Sequence, residues 1–173
     1  IAACHNSQAA AFYAEIGARR IILPRAVTLA EAGAMATAQP SLEFEVFGLN
    51  DGCLFEEGLC HTIHLPGHLG GPICMDDYQR TVLRWDGAEI GPEEAAALAG
   101  NEKAYKRWSW FKFGCGFSVT KEGFPFGPCA LCALPGLAAS GVAAVKIVGR
   151  EANTARKLKS VQMVRAALDE MAA

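Results

Sequence analysis

Leu42-Glu43-Phe44-Glu45-Val46-Phe47 is the stretch on which the fold turns. Apolar and acidic residues alternate through it with a period of two, which is the pattern of a β-strand. Leu42, Phe44 and Val46 share one face, and Glu43 and Glu45 share the other. Upstream, residues 7–16 read as a helix stopped by Gly17, and Arg20-Ile21-Ile22-Leu23 as a short apolar strand. Thr28-Leu29-Ala30-Glu31 has capping-box spacing, and the Ala-rich helix it opens ends before Pro40. Downstream, 135–140 reads as a short helix closed by Gly141, and 143–148 as another strand. Asn153 then caps a final helix in which Leu158, Val161, Val164, Leu168 and Met171 form one apolar stripe, with the charged residues on a solvated face.

Strands alternating with helices predict an α/β architecture with parallel strands. Three strands of this kind are visible, whereas a closed (β/α)₈ barrel takes about 250 residues. The expectation is a single domain over 1–173, a partial TIM-like barrel completed by further residues, a partner chain or a second copy. The chain opens at Ile1, and we read it as a fragment or processed form. The stretch 48–133 has weak periodicity apart from a short helix at 92–99, and is expected to be a long Cys-rich and aromatic-rich insertion.

Composition narrows the function classes. The chain has 173 residues, 51% apolar and 20% charged, which excludes a disordered polymer. A net charge of −2 offers no basic footprint for nucleic acid. No apolar run approaches the ~20 residues of a membrane span. The seven cysteines, at 4, 53, 60, 74, 115, 129 and 132, are an odd number without a secretory signal, and a cytoplasmic protein is expected. Six of them fall between 53 and 132, which favours a metal site over scattered buried thiols. Thiolates without spare carboxylates suit an iron–sulfur cluster or structural zinc. The close pair Cys129-x₂-Cys132 stands alone, where zinc ribbons use two such pairs. His64-x₃-His68, following Cys60 and His61, is a rival zinc pattern, although Pro66 and Gly67 break a helix that would present both rings. Tyr105, Trp108, Trp110, Phe111, Phe113, Phe117, Phe124 and Phe126 are expected to pack in the insertion, around a cluster or against a planar substrate.

No Gly-x-Ser-x-Gly elbow or His-Glu-x-x-His helix is present, and Cys4 beside His5 is a poor nucleophile pair because sequence neighbours rarely face each other. Asp76-Asp77 and Glu56-Glu57 read as solvated surface pairs. Glu43 and Glu45 carry more. In a barrel strand a carboxylate needs a cation, and Lys146, Arg25 or Arg150 are placed to supply one, either as a structural network or as a substrate-anion site.

Several stretches are similar to the collagenase-like (U-thirty-two) peptidase family. They are Glu45-Val46-Phe47 followed by Cys53-x₄-Gly58-x-Cys60, Leu134-Pro135, Ser140-Gly141-Val142, and Val145-Lys146-Ile147-Val148-Gly149-Arg150 before the last helix. Ile22-Leu23-Pro24-Arg25, Leu29-Ala30-Glu31, and Asn6 before Ala10-Ala11-Phe12-Tyr13 also fit, in the family's order. The resemblance implies the C-terminal half of a barrel-like catalytic domain. Some members are described as proteases. Others take part in oxygen-independent hydroxylation of RNA bases or the ubiquinone ring and carry a [4Fe–4S] cluster. Their cluster cysteines map onto Cys53, Cys60 and Cys74, with Cys115 as the fourth and Cys129 in reserve. The spacing to that fourth ligand is shorter than in the ubiquinone-type members. From the charge pairing on the strands, Glu45, Arg25, Lys146 and Arg150 are the candidate catalytic residues. Where the family usually has His-Gly-Ala/Ser before the first cysteine this chain has Leu49, Asn50 and Asp51, and the usual acidic residue before Gly149 is Val148. Both departures weigh against a standard peptidase site.

Overall fold

β2 (Glu43–Leu49) is the middle strand of a three-stranded parallel sheet, flanked by β1 (Arg20–Ile22) and β3 (Ala144–Ile147). Ile21 lies opposite Phe44 on one side, and Val46 opposite Val145 on the other. The computed structural model describes residues 3–53, 81–115, 118–149 and 152–172. These fall in two units, Ile1–Cys60 with Gly114–Ala173, and His61–Phe113. The α/β expectation holds as mixed helices with a small parallel sheet, and the sheet belongs to the first unit.

Local chemistry sets the helices as the sequence predicts. α1 (Ser7–Glu15) starts at Asn6, whose side chain accepts from Ala9 N–H. α2 (Leu29–Ala38) carries the full capping box, with Glu31 N–H donating to Thr28 Oγ1 and the Glu31 carboxylate accepting from Thr28. Those hydrogen bonds hold the Glu31 carboxyl below its ordinary range. The helix expected at 135–140 begins one residue earlier, as α4 (Leu134–Ala139) behind a 3-10 turn at Leu131–Ala133, and Gly141 leaves it at φ +84°. Phe44 is fully buried among Cys4, Ala10, Leu23, Ala32 and Met35, so α1 and α2 pack on the Phe44 face of the sheet. Burial pushes the Cys4 thiol up, against a weaker opposing pull from its bond to the Asn6 carbonyl, and His5 beside it is exposed. That leaves Cys4 an inert core thiol.

The register of β2 on β3 slips between Phe47 and Leu49, at Gly48. A Cβ there would sit 2.9 Å from Val145 Cβ in the neighbouring strand. Gly48→Ala is therefore expected to cost about 1–3 kcal/mol by forcing the strands apart. Urea denaturation followed by circular dichroism reads this directly; an unchanged midpoint would mean that the two strands separate freely.

α5 (Thr154–Ala172) corrects the expected burial of the last helix. Arg156, Ser160 and Val164 face inward at four-residue spacing, while Leu158, Val161, Leu168 and Met171 are exposed. Of the apolar stripe only Val164 is buried, and Arg156 is not on a solvated face. The reason is tertiary: Ser160 Oγ accepts a 2.9 Å bond from buried Asn50 Nδ2, and this anchor rotates the helix.

The second unit corrects the helix expected at 92–99. Residues 81–91 form a tight turn with Leu83 opposite Glu89, and α3 (Pro92–Cys115) then runs for 24 residues instead of ending at 99. The chain beyond Gly100-Asn101 is rich in helix formers and carries a Glu102–Lys106 pair one turn apart at 3.5 Å. At the start, the Glu94 carboxylate accepts from Gly91 N–H and both its oxygens bond Arg84, which lowers its pKa. Tyr105, Trp108, Trp110 and Phe111 thus lie on a helix and are exposed. Phe117 lies outside the described residues. Phe124 and Phe126 follow a turn in the first unit, where Phe124 lies under Lys159 of α5 at 4.9 Å.

Candidate functional site

At the carboxyl end of β2 the chain continues through Asn50, Asp51 and Cys53, and this end of the parallel strands is where α/β folds place their sites. β2 extends beyond β1 here, and a strip around Cys129 takes its place. Asn50 N–H donates to the Pro128 carbonyl at 2.9 Å, and Ala130 N–H to that of Gly48 at 2.9 Å. Leu49 and Cys129 are directly opposite. Cys129 and Cys132 are both exposed.

Arg25, three residues past β1, reaches over to Asp51. Its Nη2 lies 2.8 Å from Oδ1, and its Nε donates to Oδ2, a bidentate pair. The guanidinium also covers the Phe47 ring at 4.3 Å. Burial acts to lower the Arg25 pKa, but the Asp51 hydrogen bonds and charge, with a smaller contribution from the Cys53 thiol beside it, leave it raised. Cys53 N–H donates to Asp51 Oδ1 at 3.4 Å, which ties the cysteine's backbone to the same carboxylate. Asp51→Ala removes that carboxylate while the Arg25 side chain is 25% exposed. The expected loss is about 1.5–3 kcal/mol in urea denaturation, with Asp51→Asn in between; equal midpoints for the three proteins would reduce the pair to a surface contact.

The acidic face of β2 is paired differently from the expectation. Glu45 meets Lys146 Nζ at 3.8 Å and Arg20 at 3.8 Å, and Glu43 meets Arg20 at 2.6 Å. Lys146 therefore serves Glu45 as proposed, while Arg25 serves Asp51 and not the glutamates. Lys146 Nζ is 5.9 Å from the centre of the Phe47 ring, so two cations flank one aromatic. Sequence reasoning missed Arg20, Phe47 and Asp51. Register was the available signal for Arg20, since it sits directly opposite Glu43. Arg150, Cys60, Cys74, His61, His64 and His68 lie outside the described residues, as do Glu56-Glu57 and Asp76-Asp77. Cys115 is the last residue of α3. Among the described residues no three His, Cys, Asp or Glu side chains converge.

The model of Peptidase family U32 matches residues 1–173, the whole chain. The chain belongs to Peptidase family U32. No curated protein and no solved structure matches it. In this U32 chain the two departures noted above acquire structural content. Asn50 is buried in the left-handed conformation at φ +67° and bonds Ser160, and Asp51 holds Arg25 beside Cys53. The position before Gly149 is filled by Val148, whose N–H donates to the Leu49 carbonyl at 3.0 Å. No helix among the described residues is long and apolar enough to cross a membrane.

Proposed function

We propose that this U32 chain is an iron–sulfur enzyme, or a subunit of one, for oxygen-independent hydroxylation of a planar substrate, an RNA base or a quinone precursor. The observation that carries the reading is the position of Cys53: at the carboxyl end of the central strand, beside the Arg25 guanidinium and tied to Asp51. A cysteine at the site end of a parallel sheet is placed to serve as a metal ligand. Cys53, Cys60, Cys74 and Cys115 would hold a [4Fe–4S] cluster, with Cys129, on the strip paired to β2, as the reserve ligand. The cluster would supply electron transfer. Arg25, Lys146 and Arg150 would receive an anionic group of the substrate, and Glu45 would orient Lys146.

The sheet supports the same reading. Helices cover its Phe44 face, while the Glu45–Phe47–Lys146 face carries charge, as the lining of a (β/α) barrel arc would. Further sequence, a partner chain or a second copy would complete the barrel, in the cytoplasm. The family's description favours a second reading, a peptidase with zinc or without metal. Iron and acid-labile sulfide analysis of anaerobically purified protein separates the two. Iron and sulfide in equal amounts are expected; near-stoichiometric zinc without sulfide, together with hydrolysis of gelatin, would replace the first reading by the second.

A further inference from the structure

The whole-chain charge of −2 conceals a local surplus. Between residues 103 and 113, in the second half of α3, the sequence places four cations, five aromatics and no acidic residue. Ser109 turns inward, with 3% exposure, and so makes the opposite side of the helix the outer one. Arg107 and Phe111 lie there one turn apart, and with Trp108 and Ala104 they line a shallow groove. Phe111 is 72% exposed, Trp108 51% and Tyr105 48%. The Lys112 ammonium stands 5.7 Å from the centre of the Trp108 ring, and the Tyr105 and Trp108 ring centres are 6.0 Å apart. All of these residues belong to the second unit, whereas Arg25, Asp51 and Cys53 belong to the first.

Several large rings left in water on one helix face mark an interaction surface. The mixing of ring and charge decides its partner. A lipid surface suits helices whose aromatic and basic residues occupy opposite faces. Here Arg107 and Phe111 share one groove, and Lys112 sits by the Trp108 ring. An acidic peptide would account for the cations and leave the flat ring faces unused. A partner with a negative charge and a planar group in every repeating unit uses both. Single-stranded nucleic acid is such a partner, since its phosphates meet Lys and Arg while its bases stack on aromatic faces.

We propose that the outer face of α3 binds single-stranded nucleic acid. Bases stack on Trp108 and Phe111, and Lys103, Arg107 and Lys112 take the flanking phosphates. Ring faces and backbone charge do not distinguish one base from another, so binding tolerates any sequence. The surface favours the RNA base over the quinone precursor as the substrate class, and that consequence alone rests on the proposed hydroxylation. Binding is measured without turnover, so protein lacking iron and sulfide would remove the hydroxylation reading and leave the binding result standing.

Fluorescence anisotropy of labelled oligouridine, titrated with the full chain at low salt, tests the proposal. Saturable binding is expected, with quenched tryptophan fluorescence and a log–log salt slope of about −2 for three phosphate contacts. An abasic oligonucleotide of equal length keeps the phosphates and lacks the bases, and should bind about tenfold more weakly. Phe111→Ala should weaken oligouridine binding by about tenfold at an unchanged salt slope. Arg107→Gln should weaken it and flatten the slope by about 0.7. Both positions are exposed, so the Tm of each variant should match that of the parent. No saturable binding, equal affinity for the abasic strand, or undiminished binding by both variants overturns the proposal. Displacement of oligouridine by vesicles of anionic phospholipid would also overturn it, and would assign the face to a membrane surface.

Discussion

Phe44→Ala is expected to destabilise the protein by about 3–5 kcal/mol, the cost of removing a large aromatic from a packed core. Phe44 has 0% exposure and is the point where the central strand meets α1 and α2, packed among Cys4, Ala10, Leu23, Ala32 and Met35. Ala10 and Ala32 cannot reach into the void, while Leu23 and Met35 can close part of it, so the middle of that range is expected. Domains of this size are stable by about 5–15 kcal/mol, so the substitution removes a large share of the total. Urea denaturation monitored by circular dichroism gives the number. Phe12→Ala is the control: Phe12 is 56% exposed and stacks only edge-on against Tyr13, and a change within about 0.5–1 kcal/mol is expected. Equal losses at the two positions would mean that the core does not lie on the Phe44 face.

The second large effect concerns the proposed cluster. Cys53→Ser and Cys74→Ser should each abolish iron and sulfide retention, because a serine hydroxyl does not replace a thiolate toward a soft metal. Cys132→Ser should retain both, since Cys132 sits exposed on the 3-10 turn and outside the proposed ligand set. The readouts are iron and sulfide per chain and visible absorbance after anaerobic purification. Thermal denaturation of the same samples separates ligand loss from unfolding, because Cys53 is at the end of a strand and not in the core. Iron kept by Cys74→Ser and lost by Cys132→Ser would transfer the ligand role to the Cys129–Cys132 pair.

Legibility in the sequence followed the range of the interaction concerned. The helix caps at Thr28 and Asn153 were readable because each bond spans three residues, whereas the Asn6 cap, of the same span, was missed. β2 was readable because alternation is local. α3 was not, because basic and aromatic residues surround its second half without leaving one apolar stripe, and a helix held by propensity and short-range pairs lacks the periodic signal. The candidate site divided in the same way. Lys146, one of three cations offered to Glu43 and Glu45, meets Glu45 from the neighbouring strand. The partner of Arg25 was misassigned, because Asp51 is 26 residues away and lies just past a strand end.

Element order and the parallel strand class came from residues and their neighbours alone. The tertiary structure decided which face of α5 is buried, where Arg25 binds, and that Asn50 Oδ1 is buried without a donor among the described residues. The physical reason is that backbone geometry and capping are fixed within one turn or one pleat. Burial and charge pairing depend on which distant surfaces meet, and α5 turns Arg156 inward because Ser160, 110 residues from Asn50, supplies the hydrogen bond that holds it there.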